Sequence, residues 1–122
     1  MIERYTRKEI KSIWEDKNKY SIWLEIELAA AEAMEKFKII PKGVVKKVKS
    51  KAKINPKRIT QIENKVKHDI IAFLTSIAEK TGKEAKYLHK GMTSSDVLDT
   101  CFNLQLKQSG RILLKDIDQL LQ

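Results

Sequence analysis

Apolar side chains recur along this chain at spacings near 3.6 residues, the period of an α-helix with one buried face, in several separate runs. Thr6 followed by Glu9 has the form of a capping box, which starts a short helix with Ile10, Ile13 and Trp14 on its inner face and leaves an extended arm before it. From about Asn18 to Phe37 the stripe Ile22, Ile26, Ala29, Ala33 and Phe37 predicts a longer helix, with Glu25 and Glu32 among its polar positions. Pro41 and Gly43 then interrupt the pattern, and Val44, Val45 and Val48 mark a short amphipathic segment. Asn55 and Pro56 fit an N-cap followed by proline at the first helical position. The stripe that follows, Ile59, Ile62, Val66, Ile70, Phe73 and Ile77, ends at Gly82, with room for a break near residues 67–69, where Asp69 can cap a new helix.

Residues 83–96, KEAKYLHKGMTSSD, are the least regular stretch, because Gly91 and the Thr/Ser/Ser/Asp cluster favour a turn over a helix interior. Ser94 or Ser95 is expected to cap the next helix. Its apolar residues Val97, Leu98, Cys101, Phe102, Leu104 and Leu106 form a wide surface, which predicts burial on more than one side. A further stripe, Leu114, Ile117 and Leu121, runs to the last residue with no stop signal, so the sequence reads as a piece of a longer chain. Few glycines and prolines accompany these patterns, and the expected class is all-α.

The length of 122 residues suits one domain with a modest core. No apolar run approaches the roughly 18 residues of a membrane helix, and a lone Cys101 excludes an internal disulfide framework, so a cytoplasmic protein is expected. The net charge of +9 suggests a nucleic-acid partner until it is placed along the chain. Residues 36–58 hold ten basic side chains and no acidic one, which leaves the remainder nearly neutral. That stretch has nine lysines, one arginine and only Phe37 as an aromatic, a poor set for reading base edges or stacking on bases, and it reads as a solvated lysine-rich face.

Two histidines, His68 and His89, are the side chains best suited to proton transfer near neutrality. Each can equally be a hydrogen-bonded structural residue. Their neighbours bear on the choice: Asp69 follows His68, and GMTSSD follows Lys90 just after His89. Hydroxyls and free amide groups at a helix start can hold a phosphate or carboxylate, although the same cluster can be an ordinary N-cap. No Walker loop, dinucleotide glycine fingerprint or zinc-type Cys/His spacing is present in the sequence.

The start MIERYTR, the segment IENKVKHDIIAFL and the block LHKGMTSSDVLDT followed by LQL resemble, in collinear order from Met1 to about Leu114, the N-terminal region of the adenylosuccinate lyases in the fumarase/aspartase superfamily. The resemblance implies an all-α N-terminal helical domain over residues 1–111, with residues 112–122 as the truncated start of a long helix of the central bundle. It implies β-elimination of fumarate from adenylosuccinate to give AMP, and from the succinylated aminoimidazole carboxamide ribotide, without metal or organic cofactor. Carried over by residue, it implies that Arg4 and Tyr5 contact the nucleotide, that Lys67, His68 and Asp69 line the site, and that Thr93 and Ser94 hold an anionic end. His68 is implied as a general acid or substrate-positioning group, and His89 lies beside the phosphate-binding region. Lys67 stands where the family often has arginine. A catalytic serine on a mobile loop, a further histidine and neighbouring subunits of a homotetramer are implied to lie beyond this chain, which alone is expected to be inactive.

Three other readings remain from the sequence. One is a sister enzyme of the same superfamily, which the MIERYTR arm and the HDIIAFL block disfavour. Another is a small basic nucleic-acid-binding module working through residues 36–58. The third is a helical interaction module whose partner covers the stripe at 114–121.

Overall fold

The computed structural model describes residues 2–122 and is all-α, as the periodicity predicts. A 3-10 turn, Glu3–Tyr5, precedes six α-helices: α1 Lys8–Trp14, α2 Asp16–Lys36, α3 Val44–Lys51, α4 Pro56–Val66, α5 Asp69–Thr81 and α6 Ser94–Leu120. A 3-10 segment, Gly82–Tyr87, carries the chain from α5 toward α6. Met1 lies outside the described residues.

The core forms where α2, α4 and α5 meet. Phe73, Ile70 and Ile77 of α5 and Ile59 of α4 are fully buried, and Val48 of α3 and Val97 of α6 close the sides. Phe73 stacks on Tyr20 with ring centroids 6.0 Å apart and meets Trp23 edge-on at 5.5 Å, so α2 is fixed to α5 by a three-ring contact. Such ring pairs add to the area they bury. The helix starts are set by local chemistry: Asn55 Oδ1 accepts the Arg58 N–H at 3.1 Å ahead of Pro56, as predicted. At α3 no local side chain serves. Gly43 sits there at φ 92°, and Glu35 reaches across from α2 to accept the Val45 N–H at 2.6 Å. That amide, with those of Gly43 and Val44, holds the Glu35 carboxyl below the usual carboxylate range.

Several expectations need correction. The arm before α1 is a 3-10 turn rather than extended chain, and no Thr6–Glu9 capping box forms, because the Thr6 hydroxyl donates backwards to the Ile2 carbonyl at 2.7 Å. The apolar stripe of α2 holds at Ile22, which is buried, and Ile26, which packs against the core, but is rotated beyond them from the one inferred: Ala29, Ala33 and Phe37 are exposed, while Tyr20, Trp23, Glu27 and Ala31 are buried. The pattern from Pro56 to Gly82 does break at residues 67–69, but His68 and not Asp69 takes the N-cap of α5. Thr93, rather than Ser94 or Ser95, caps α6 in a capping box with Asp96, whose carboxylate accepts the Thr93 N–H at 2.8 Å.

Helix α6 also buries less than its composition suggests. Only the seam Val97, Cys101 and Gln105 is buried, running antiparallel to α2 and ending at α1, where Gln105 Nε2 donates to the Ile13 carbonyl at 2.8 Å. Phe102, Leu104 and Leu106 are exposed, as are Leu114, Ile117 and Leu121. The helix runs without a break through Gly110 and Arg111. The lysine-rich segment is a solvated face in which Lys47 pairs with Glu84 and Arg58 with Glu79. No helix of the described residues is long and apolar enough to cross a membrane.

Candidate functional site

Two turns carry the predicted chemistry. In the first, α4 ends at Val66 and Lys67 adopts a left-handed conformation, φ 56°, with its N–H on the Glu63 carbonyl at 2.7 Å. His68 then swings to extended geometry and caps α5. Its Nδ1 lies 3.4 Å from the Ile71 N–H and 3.5 Å from Asp69 Oδ1. The two contacts demand opposite roles of one nitrogen, acceptor in the first and donor in the second, and both are long, so neither fixes the ring strongly. Asp69 instead accepts the Ile70 N–H at 2.7 Å. Both side chains are close to half exposed, 47% for His68 and 42% for Asp69, which leaves them accessible to a ligand at the positive end of α5.

The second turn joins buried Leu88 to the start of α6. His89 has φ 58° and Gly91 φ 71°, two left-handed residues that reverse the chain, and the Met92 N–H closes the turn on the His89 carbonyl at 3.4 Å. Here the histidine is held firmly. Glu27, on the inner face of α2, is fully buried, and its two oxygens meet the His89 backbone N–H at 2.7 Å and the ring Nδ1 at 2.6 Å. The turn delivers the chain to Thr93 and Ser94. By position, the N–H groups of Ser94 and Ser95 are first-turn donors without an acceptor inside the helix.

Glu27 is the residue that reading the sequence missed. The signal was present in the rotated stripe: with Tyr20, Trp23 and Ala31 as the inner positions, Glu27 is an acid in apolar phase, and a buried acid requires a partner.

The predicted residues do not converge into one cleft. Thr93 and Ser94 share an end of α6 with His89, but the arm that bears Arg4 and Tyr5 lies near the other end, where the Arg7 guanidinium binds Asp116. Ser94 and Asp116 are separated by roughly 33 Å of helix, at about 1.5 Å per residue. Tyr5 is exposed, with the Arg4 guanidinium over its ring. Among the described residues, no hydrogen bond or ion pair joins His68 or Asp69 to His89, Thr93 or Ser94. The cleft beneath the end of α2, lined by Glu32, Glu35, Ile39, Ile40 and their neighbours, contains none of them. Among the described residues there is no cluster of His, Cys, Asp and Glu able to hold a metal ion.

Set against known proteins, all 122 residues align at 46% identity with adenylosuccinate lyase of Synechocystis sp.. Along its entire length, the chain is similar to an adenylosuccinate lyase. It spans 28% of that lyase. The crystal structure of a fumarate lyase from Mesorhizobium sp. superposes with a TM-score of 0.81 over 89% of this chain and 26% of that one. At 22% identity the second likeness shows a shared fold, and the all-α architecture is therefore one seen in a fumarate lyase. No family model matches the chain. The adenylosuccinate lyase likeness runs through both histidine turns, since it covers every residue from Met1 to Gln122.

Proposed function

We propose that these residues form the N-terminal, site-contributing part of an adenylosuccinate lyase, which cleaves adenylosuccinate to AMP and fumarate and acts likewise on the succinylated aminoimidazole carboxamide ribotide. The observation that carries this reading is the 46% identity to such a lyase across the whole chain. The local geometry is compatible with it. A β-elimination needs a proton for the departing nitrogen and donors for the charge that builds on the substrate carboxylate. His68 is accessible at a helix start and suits the first role, or positions the substrate; Lys67 and Asp69 flank it. Thr93 and Ser94, beside His89, offer hydroxyls, and Ser94 and Ser95 first-turn amides, to an anionic group.

The distance between the arm and the α6 start supports a site completed by other copies of the chain, a homotetramer in which Arg4 and Tyr5 of one subunit serve the pocket of another. In this reading residues 1–111 are the N-terminal domain, and residues 112–122 begin the bundle helix, whose exposed Leu114, Ile117 and Leu121 meet neighbours there. No cofactor takes part, the enzyme works in the cytoplasm, and the 122 residues alone are inactive.

A chimera tests this. The present sequence replaces the matching segment of the Synechocystis enzyme, and adenylosuccinate cleavage is followed by ultraviolet absorbance. Retained turnover, lowered by about 100-fold or more in His68→Ala, is expected. A folded, tetrameric chimera with no turnover would overturn the reading.

A further inference from the structure

We infer that Glu27 is a positioning residue for His89: it takes the Nδ1–H of the imidazole together with the His89 backbone N–H, and so leaves Nε2 as the ring atom presented to substrate. The inference deepens the lyase reading and rests on it for the identity of what Nε2 meets.

Two costs converge on this pair. A glutamate with no exposed surface has lost its hydration, and a histidine at φ 58° sits where residues with a side chain are disfavoured. A turn that needed only closing would be served by glycine at position 89 and by a smaller acceptor, or water, for the amide. Strained backbone that persists beside a buried charge-bearing group is more common where a side chain has to be aimed. The geometry here aims it. One carboxylate fixes both the main chain and the ring of the same residue: the backbone hydrogen bond holds the acid in place, and the imidazole cannot rotate away without breaking the short bond at Nδ1. An acceptor at 2.6 Å from Nδ1 also selects the tautomer with the proton on that nitrogen. Nε2 has no partner among the described residues, and the side chain keeps 18% of its surface exposed, next to the turn that opens α6. His68 shows the opposite arrangement, with long contacts and no selected tautomer.

The test has two arms. In the 122-residue chain, nitrogen-15 NMR of the histidine side chains is recorded about two pH units above an unperturbed histidine. The His89 Nδ1 should carry the proton in the native chain. In Glu27→Gln the amide carbonyl can still take the backbone N–H, but its NH2 group then faces Nδ1, and the proton should move to Nε2. Glu27→Asp keeps an acid at the site and should keep the native tautomer, which guards against a Gln variant that fails to fold. A native ring protonated on Nε2, or one unchanged by Glu27→Gln, overturns the inference. In the chimeric lyase, Glu27→Gln should lower kcat/KM about tenfold or more, with no further loss when added to His89→Asn. Losses that multiply would show that Glu27 does not act through His89. A chimera inactive with the native sequence would count against the lyase reading, while the NMR arm would still decide whether Glu27 sets the His89 ring.

Discussion

The joint at residues 67–69 and the turn at residues 88–93 are built to one plan and finished differently. Each places a histidine just before a helix, each uses a left-handed residue to turn the chain, and each has a side chain at the helix start that bonds a first-turn or cap amide. At the first the strain falls on Lys67, the histidine acts as its own helix cap, and the ring is half exposed. At the second the strain falls on the histidine, and a fully buried acid from α2 holds it. A histidine held only by long local contacts can change rotamer when a ligand arrives, whereas one clamped by a distant helix keeps its direction before the ligand arrives. In a lyase the first suits a group that moves with a proton, and the second a group that registers the substrate.

The largest change removes what both turns stand on. Phe73→Ala takes away the ring against which Tyr20 and Trp23 of α2 meet α5, and a buried Phe-to-Ala change costs about 3–5 kcal/mol. Chemical denaturation should show that loss, and amide exchange should quicken at both turns together. Exchange that quickens only near His68 would mean that the α6 start is supported independently of α5.

Glu27→Leu should separate the two turns. It leaves the His89 N–H and Nδ1 without their acceptor, and a buried polar group left unpaired costs about 1–3 kcal/mol. The counterpart, Asp69→Ala, removes an exposed acid bonded to the next amide and should change stability by less than about 0.5 kcal/mol. Equal effects in urea melts would erase the contrast.

This contrast also marks what the sequence could disclose. The Asn55–Pro56 start, the stop at Gly82 and the turn before α6 are local matters, set by spacing, caps and glycine, and they were legible; the break at residues 67–69 was legible only as an option, and the continuity of α6 past residue 111 was not. Register was not. Ala29, Ala33 and Phe37 fit an apolar stripe as well as Tyr20, Trp23 and Ala31 do, and only packing against α5 and α6 selects the second set, with Glu27 inside it. The caps at His68 and Thr93 lie one residue, and one or two residues, before those expected, because the side chain that bonds depends on where the chain turns left-handed. The candidate site residues fall in two histidine-bearing turns and a separate arm and not in one pocket, since Arg4 and Tyr5 lie far along α6 from Ser94 and nothing local records which surface they face.

Gly91→Ala and His68→Ala probe the turns more gently. Nothing lies within 4 Å of a Cβ built on Gly91, so the cost is the left-handed backbone alone, about 1 kcal/mol. His68→Ala removes a cap whose bond is already long, and should cost about 0.5 kcal/mol, the low end for such caps. Thermal melts of the two variants should rank in that order. The reverse rank would place the firmer support at the first turn.

The smallest effect has the opposite sign. Lys67 is exposed, holds φ 56°, and ends α4 as a left-handed cap, a position at which glycine avoids the steric penalty of a Cβ. Lys67→Gly relieves about 1 kcal/mol of strain but gives the unfolded chain more freedom, which takes back part of the gain. The net should be a stabilisation of about 0.5 kcal/mol, a rise of about 2 °C in Tm. His89→Gly relieves the same strain at the second turn, yet it should not stabilise, because the Glu27 oxygen that faced Nδ1 would then be buried without its partner. The pair of melts therefore measures what the clamp adds beyond the turn. If His89→Gly raised Tm as much as Lys67→Gly, the Glu27 contact would contribute nothing to stability, and the two turns would differ in geometry alone.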